Sequence, residues 1–318
     1  MPKDFIVDLV EGVQKKKSHV CVGLDPDFER IPGHIKEMAI NEYGPNRRAI
    51  GEAFLNFNRE IIEAVKDSVA AVKLQIAFFE EYGHWGLKAL EETISFAHHK
   101  KLLTILDIKR GDIGSTAAAY SRGYLGGVNF WYGVKKKVFN ADAVTLNPYL
   151  GKDSVEPFLR EMEENKKGAF VLVKTSNPGS KDIQDLRLES GELLYEKVAM
   201  MVNNWGEYLV SEKVPYSQLG AVTGATFSGA AEKLRDLMPK SYLLVPGYGA
   251  QGAGPEDVIP FFNEDGLGAL INASRSIIFA YEKDSYPDQH QWAARQAVEK
   301  MRTDINSALK KAGRLAWD

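Results

Sequence analysis

The sequence predicts an α/β fold in which residues 1–318 form a single domain, a (β/α)8 TIM barrel. Three observations lead to this prediction: eight short aliphatic or β-branched runs recur, helical patterns separate them, and no linker rich in Pro, Gly or Ser divides the chain. Buried strands that alternate with helices indicate parallel βαβ units, and barrels of about 200 to 300 residues are ordinary single domains. A doubly wound parallel sheet is the alternative.

The apolar runs and the helical patterns between them define the predicted elements in order. Strands are expected at residues 19–24, 70–74, 102–108, 143–146, 170–173, 219–222, 242–245 and 267–271. Helical spacing predicts helices at 53–66, 192–209 and 231–237, and a terminal helix from about residue 286. The polar segments 27–48 and 175–191 are expected to be long loops that act as lids or rims.

The composition is that of a globular enzyme, with 44% apolar and 26% charged residues. A net charge of -3 and a pI near 6.1 do not suggest a nucleic-acid partner, and the lysine clusters 15–17 and 135–137 are interpreted as solvated helix faces. The chain shows no signal peptide and no run long enough to span a membrane. Cys21 is the single cysteine, so no intrachain disulfide can form. A cytoplasmic protein without a membrane partner is predicted.

Charged residues cluster where the first three predicted strands end. Asp25 follows the first strand, Lys73 lies near the end of the second, and Asp107 and Lys109 lie at the end of the third. Active sites of barrels form at the carboxyl ends of the strands, and residues two apart on a strand project from the same face. Asp112 is expected on the turn before the next helix. We predict one polar pocket; the alternative is an ion-pair network that only closes the barrel mouth.

A second candidate site follows the seventh and eighth strands. Glycines at 247, 249 and 252 follow Pro246, and Ser274 and Arg275 follow the last strand. Glycine backbone amides, a helix N-terminus and an arginine fork are suited to a phosphate, and barrels usually bind phosphate at this position. The glycines also match the dinucleotide pattern Gly-x-Gly-x-x-Gly, but that pattern normally opens a βαβ unit. A glycine-rich turn without a ligand is the alternative.

The remaining polar and aromatic residues suggest no other chemistry. The six histidines show neither His-x-His nor His-Glu-x-x-His spacing, so no metal site is predicted. Lys174, at the end of the fifth strand, is interpreted as an ordinary lysine at the rim. The five tryptophans are interpreted as packing residues.

The segment 106–116, Leu-Asp-Ile-Lys-Arg-Gly-Asp-Ile-Gly-Ser-Thr, resembles the Asp-x-Lys-x-x-Asp-Ile signature of orotidine 5′-phosphate decarboxylases. The resemblance extends to the first strand at 21–26, to Lys73, to a pyrimidine-contacting loop at 175–179, and to a phosphate site at 245–247 with Gln251 and Arg275. These segments lie between residues 20 and 280. The length and the long loops resemble the larger subgroup of the family.

The resemblance implies a homodimer that converts orotidine 5′-monophosphate to uridine 5′-monophosphate without a metal or an organic cofactor. Lys109 would protonate the carbon that loses carbon dioxide, Asp107 and Lys73 would hold Lys109 in a charge array, and Asp112 would crowd the substrate carboxylate. Further implied substrate contacts are Asp25 and Lys73 at the ribose, Thr175 and Ser176 at the pyrimidine, and Pro246, Gln251, Ser274 and Arg275 at the phosphate. Asp112, Ile113 and Thr116 of one chain would complete the pocket of the other.

Physical chemistry agrees with this assignment, because a nearby ammonium both stabilises and protonates the carbanion that decarboxylation leaves. The nearest rival is a metal-dependent sugar-phosphate decarboxylase or aldolase with a similar motif. Such enzymes place a carboxylate on the second strand to hold magnesium, whereas this chain has Lys73 there. A Schiff-base aldolase using Lys109 is a weaker rival, since a lysine between carboxylates stays charged. A non-catalytic nucleotide-binding barrel also remains open.

Overall fold

The computed structural model of the chain describes residues 4–249, 252–282 and 289–317. Eight of the described strands form a closed, parallel barrel. The prediction of a (β/α)8 barrel is therefore confirmed, and the doubly wound sheet is wrong. The barrel strands are β1 Val20–Gly23, β2 Ala71–Gln75, β3 Leu103–Arg110, β6 Ala143–Leu146, β7 Gly168–Lys174, β8 Ser217–Thr223, β9 Ser241–Pro246 and β10 Ala269–Ala273. Around the barrel, their order is β1-β10-β9-β8-β7-β6-β3-β2.

Each of the eight predicted strands overlaps one barrel strand, and no end differs by more than two residues. The segment between β3 and β6 contains an antiparallel hairpin that the sequence did not predict, formed by β4 Val128–Asn129 and β5 Lys135–Lys136. The lysine cluster 135–137 thus begins on a strand, so its interpretation as a helix face is wrong. A two-residue strand is too short to produce a recognisable alternation of apolar and polar residues.

Helices cover the outside of the barrel, and the first helix of the chain closes its lower end. They are α1 Phe5–Lys16, α2 Gly33–Tyr43, α3 Arg47–Val65, α4 Ala77–Glu80, α5 His84–His99, α6 Gly114–Tyr124, α7 Lys152–Asn165, α8 Leu194–Gly206, α9 Ser228–Leu237, α10 Pro255–Val258, α11 Arg275–Ile278 and α12 His290–Lys311. The three internal helices and the terminal helix that were predicted are confirmed, although the predicted start near residue 286 lies outside the described residues. Within the described chain, every helix is too short or too polar to cross a membrane.

The segment 27–48 is not the long loop that its polar composition predicted. It contains a 3₁₀ turn at Phe28–Arg30 and the eleven-residue helix α2. Ile35 and Ala39, four residues apart on α2, are buried against the core, so a short apolar stripe is enough to hold this helix. The tryptophan prediction also fails in part, because Trp131 and Trp292 are 79% and 55% exposed.

The barrel interior is packed below the level of the candidate site. Phe5 on α1 meets Phe170 of β7 edge to face, with ring centroids 6.1 Å apart, and the same apolar cluster includes Cys21 and Leu270. Burial raises the pKa of the Cys21 thiol to about 12, so this cysteine is an inert apolar side chain. The lower barrel is therefore filled, and space for a ligand remains at the carboxyl ends of the strands.

Candidate active site

A cavity of about 620 Å³ opens at the carboxyl ends of the barrel strands, where the sequence places its charges. Asp25, Lys73, Asp107 and Lys109 line it together. The Lys73 ammonium lies 3.5 Å from an Asp25 carboxylate oxygen and 3.3 Å from Asp107 Oδ2. The Lys109 ammonium lies 2.7 Å from Asp107 Oδ1. Cations and carboxylates thus alternate across three neighbouring strands, as the sequence predicted.

The backbone of β3 is irregular where it presents Lys109. Its register against β6 shifts between Leu106 and Arg110, and Lys109 has a positive φ of 45°. A lysine adopts this left-handed conformation at a cost, and such strain is concentrated at functional sites. The Thr145 hydroxyl accepts a hydrogen bond from the Lys109 amide at 3.0 Å and donates one to Asp107 at 2.6 Å. Thr145 therefore holds the backbone of one charged residue and the side chain of the other.

Burial and charge have opposite effects on the two innermost ionisable groups. Lys73 and Asp107 are 6% and 7% exposed. Burial lowers the pKa of Lys73, but the Asp25 and Asp107 carboxylates outweigh it and raise this pKa above its ordinary value. Burial raises the pKa of Asp107, but Lys73 and Lys109 outweigh it and lower this pKa to about 2. Both groups are charged at neutral pH.

Gln75 completes the hydrogen bonding of the array, and the sequence assigned it no role. Its side-chain amide donates to Asp107 Oδ2 at 3.0 Å, and its backbone amide donates to an Asp25 carboxylate oxygen at 3.2 Å. Asp107 therefore accepts hydrogen bonds from Lys73, Lys109, Thr145 and Gln75. Because its oxygens are so fully engaged, the carboxylate has a fixed orientation beneath Lys109.

The segment after β7 contributes Thr175, Ser176 and Gln184 to the cavity wall. Gln184 clamps Thr175, since its amide donates to the Thr175 hydroxyl at 2.8 Å and its oxygen accepts from the Thr175 backbone amide at 2.9 Å. The Thr175 hydroxyl also donates to Asn177 at 2.7 Å. These bonds engage the Thr175 hydroxyl within the loop and favour Ser176 as the side chain that contacts a ligand.

Lys174 is not the ordinary rim lysine that the sequence suggested. It is 2% exposed, forms an ion pair with Asp185, and lies 4.3 Å from the ring centroid of Phe227. A buried ammonium needs such a partner, so the pair ties the loop after β7 to the barrel. No sequence pattern predicts this burial, because the path of the loop alone brings Asp185 to Lys174.

The segments after β9 and β10 form another part of the cavity wall. Pro246, Gly247, Ser274 and Arg275 line the cavity there, and Gly247 has a φ of 108°, which only glycine adopts readily. The structure thus brings the candidate phosphate ligands to the same cavity as the charge array. Gln251, assigned by resemblance to this site, lies outside the described residues. Helix α11, which begins at Arg275, is a single turn.

Asp112, Ile113 and Thr116 lie elsewhere on the chain's surface. None of them is among the described residues that line this cavity. Asp112 is half-buried and accepts a hydrogen bond from the Ile113 amide at 2.8 Å, while Ile113 is 55% exposed and Thr116 is exposed. Their side chains do not meet the charge array of their own chain.

Sequence reasoning missed several residues of the cavity wall. Arg30 is one of them, and it is fixed by a two-pronged ion pair with Glu282, with N–O distances of 2.8 and 2.6 Å, and by contact with the Phe279 ring. Position at a strand end could have identified Gln75, Thr145 and Asn272, whereas Arg30 and Phe279 lie on irregular segments. Asn177 also lines the cavity and belongs to the predicted pyrimidine-contacting loop 175–179, whereas the other unpredicted lining residues are Asp27, Phe78, Leu172, Gln184, Val222, Leu244, Tyr248 and Ala273.

The chain is similar to known decarboxylases along nearly its whole length. A profile of the Orotidine 5'-phosphate decarboxylase / HUMPS family matches residues 18–285. Orotidine 5'-phosphate decarboxylases from Caldicellulosiruptor saccharolyticus and Petrotoga mobilis are 40% and 42% identical, with alignments that cover 96% and 95% of this chain and 99% of each relative. The solved structure of Leishmania donovani OMP decarboxylase is 32% identical, with a TM-score of 0.71, and the match covers 96% of this chain and 98% of that one. These relatives are carboxy-lyases by name, and the chain belongs to the Orotidine 5'-phosphate decarboxylase / HUMPS family.

Proposed function

We propose that this chain decarboxylates orotidine 5′-monophosphate to uridine 5′-monophosphate, the closing reaction of de novo pyrimidine synthesis. The observation that carries the proposal is the alternating array of Asp25, Lys73, Asp107 and Lys109 at the cavity floor. A protein that only binds nucleotides needs a phosphate grip, but it gains nothing from an ammonium poised beside a buried carboxylate. The family of the chain and its named relatives support the same reaction.

Lys109 is the proposed proton donor. When the bond to the carboxylate breaks, carbon dioxide leaves and its electron pair stays on the pyrimidine carbon. The Lys109 ammonium stabilises this carbanion and then transfers a proton to it, after which the amine regains a proton from water. With its side chain 43% exposed, Lys109 can reach both the substrate and solvent, whereas the buried Asp107 orients it from below.

Different parts of the cavity wall would bind the ribose, the pyrimidine and the phosphate of the nucleotide. Asp25 and Lys73 would bind the ribose hydroxyls, and Ser176 would bind the pyrimidine while Thr175 stays clamped by Gln184. Pro246, Gln251, Ser274 and Arg275 would hold the phosphate. Asp112 of a second chain would crowd the substrate carboxylate, and how strongly that repulsion assists the reaction depends on how closely the two carboxylates approach.

A homodimer with shared sites is part of this proposal. Ile113 is exposed, and so are three large aromatic residues: Trp131 and Tyr132 at the tip of the β4–β5 hairpin, and Tyr149 in the segment after β6. This segment approaches β3 closely, since the Asn147 amide donates to the Arg110 carbonyl at 2.9 Å. Exposed large apolar side chains are typical of association surfaces, and Ile113 itself belongs to the segment that the second site needs. The cytoplasmic location stays a prediction.

The reaction is expected to need no metal. The Lys73 ammonium occupies the second-strand position where a metal-dependent rival would need a carboxylate, and it is already paired with both aspartates. We expect chelator-treated protein to consume orotidine 5′-monophosphate at the untreated rate, measured by loss of the orotate absorbance well below the unfolding temperature. Activity that disappears with chelator and returns with magnesium would favour the rival. Nucleotide binding without any turnover would identify a non-catalytic barrel.

Replacing Arg275 by alanine is expected to lower kcat/KM for the nucleotide by about 10²-fold or more, because one charge-assisted contact to the phosphate is lost. The phosphate-free nucleoside should be a poor substrate for both proteins and should react equally with each. Arg160→Ala is the matched control, since the Arg160 side chain is 70% exposed on α7. If Arg275→Ala slows the nucleoside as much as the nucleotide, Arg275 does not bind the phosphate.

A further inference from the structure

A group of metal-binding side chains lies outside the barrel, on three helices. His34 of α2, Glu60 of α3 and His290 of α12 each offer one ligand atom, and these atoms lie within 4.8 Å of one another. The Nε2 atom of His290 lies 2.8 Å from Glu60 Oε2, and the rings of His34 and His290 have centroids 5.7 Å apart. We propose that this group binds one divalent transition-metal ion of the zinc class, with water in the remaining coordination position.

The donor set favours zinc-class ions over magnesium or calcium. Imidazole nitrogens bind Zn²⁺, Co²⁺ and Ni²⁺ well, whereas Mg²⁺ and Ca²⁺ prefer oxygen ligands. Bonds of about 2.0–2.2 Å in a tetrahedral site place the ligand atoms roughly 3.3–3.6 Å apart. The observed separations, from 2.8 Å to within 4.8 Å, bracket that spacing, so small side-chain rotations suffice.

The surroundings hold two of the three ligands in position. His290 is 2% exposed and its ring lies 5.8 Å from that of Phe57 and 6.1 Å from that of Tyr281, measured between centroids. The Gln291 amide donates to Glu60 Oε2 at 2.9 Å, which is the kind of outer contact that orients a metal-ligating carboxylate. His34 and Glu60 are only half-buried, so an ion can reach the group from solvent.

A bound ion would connect the segment between β1 and α3 to the terminal helix. That connection matters because Phe57, which packs on His290, also stacks on Phe279 with centroids 5.7 Å apart. Phe279 and Arg30 form part of the active-site wall and contact each other. The ion would therefore brace this wall from outside. Its role is structural and does not depend on which reaction the chain catalyses.

The test is titration of chelator-treated full-length protein with Zn²⁺, followed by calorimetry and by thermal unfolding. We expect one equivalent to bind and to raise the Tm, because a ligand that binds only the folded state stabilises it. Co²⁺ should bind at the same stoichiometry and give the intense visible absorption of a tetrahedral or five-coordinate site. Excess Mg²⁺ should not compete.

Variants decide whether these three residues are the ligands. His34→Ala, Glu60→Gln and His290→Ala should each lose the one-equivalent step and the zinc-dependent rise in Tm. His99→Ala is the matched control and should keep both, since His99 is exposed at the end of α5. If His290→Ala folds poorly, the half-exposed His34 and the near-isosteric Glu60→Gln decide the outcome. The proposal is wrong if the wild-type protein binds no zinc, or if His34→Ala and Glu60→Gln both bind it as the wild type does.

Discussion

Lys109→Ala is expected to lower kcat by roughly 10⁴-fold or more, because in the proposed reaction this single ammonium both stabilises the carbanion and supplies its proton. Loss of a general acid typically costs about 10²–10⁴-fold, and loss of a group that stabilises developing charge costs about 10²–10³-fold. Binding of uridine 5′-monophosphate should be largely retained, since the proposal assigns Lys109 to the reacting carbon and not to the phosphate. Calorimetry measures that binding, and loss of the orotate absorbance measures the rate.

Chemical rescue can show that the amine itself is required. In Lys109→Cys, treatment with 2-bromoethylamine restores an ammonium at nearly the original distance from the backbone. The natural Cys21 is fully buried and its pKa is raised to about 12, so alkylation of the folded protein is confined to residue 109. We expect the alkylated variant to regain a large part of the wild-type rate, and the same treatment should leave the wild-type protein unchanged.

Lys240→Ala is the matched control for the loss of a lysine, because Lys240 is exposed at the opposite end of the barrel, just before β9. It should keep wild-type activity. Substantial turnover by Lys109→Ala would show that Lys109 is not the proton donor. An inactive Lys109→Ala that also fails to bind the product would instead show that the substitution has damaged the whole pocket.

The barrel was predictable because most residues of its strands are buried. A strand covered on both faces needs a continuous apolar run, and eight such runs stand out from the amphipathic helices between them. The ends of the strands were harder to predict than their positions. Hydrogen bonding in a parallel ladder continues past the last apolar residue, as at Gln75 and Arg110. Helix α2 was missed because Ile35 and Ala39 are its only buried residues. Its other apolar residues include Met38 and Ile40, which are exposed, so the apolar positions in the sequence do not mark a single buried face.

The charge array was predictable for a similar reason, since alternation on a strand determines which side chains share a face. The same rule could have identified Gln75, because it lies two residues after Lys73 and therefore on the same face of the strand. That placement would have predicted its contact with Asp107. The Lys174–Asp185 pair was beyond such reasoning, because a loop has no period that fixes its path. The group formed by His34, Glu60 and His290 was equally hidden. Its members lie on three helices and share no sequence motif.

The last prediction concerns the shared site, and it follows from where Asp112 lies. Asp112 is on the turn between β3 and α6. Of the three charged residues of the Asp-x-Lys-x-x-Asp motif, Asp107 and Lys109 are among the described residues that line the cavity, and Asp112 is not. If Asp112 serves the site of a second chain, Lys109→Ala and Asp112→Ala should each be nearly inactive when purified separately. A mixed dimer, however, has one site with the intact Lys109 of one chain and the intact Asp112 of the other.

The recovery expected from such mixing follows from two-fold symmetry. When the two variants are unfolded together and refolded, random pairing makes about half of the dimers mixed, and one of the two sites in each mixed dimer is intact. Roughly one quarter of all sites should then regain activity, measured against wild-type protein refolded in parallel. The other site of each mixed dimer carries both substitutions and stays inactive. If the wild-type control refolds well but the mixture stays at the level of the separate variants, Asp112 acts within its own chain, and the shared site is wrong.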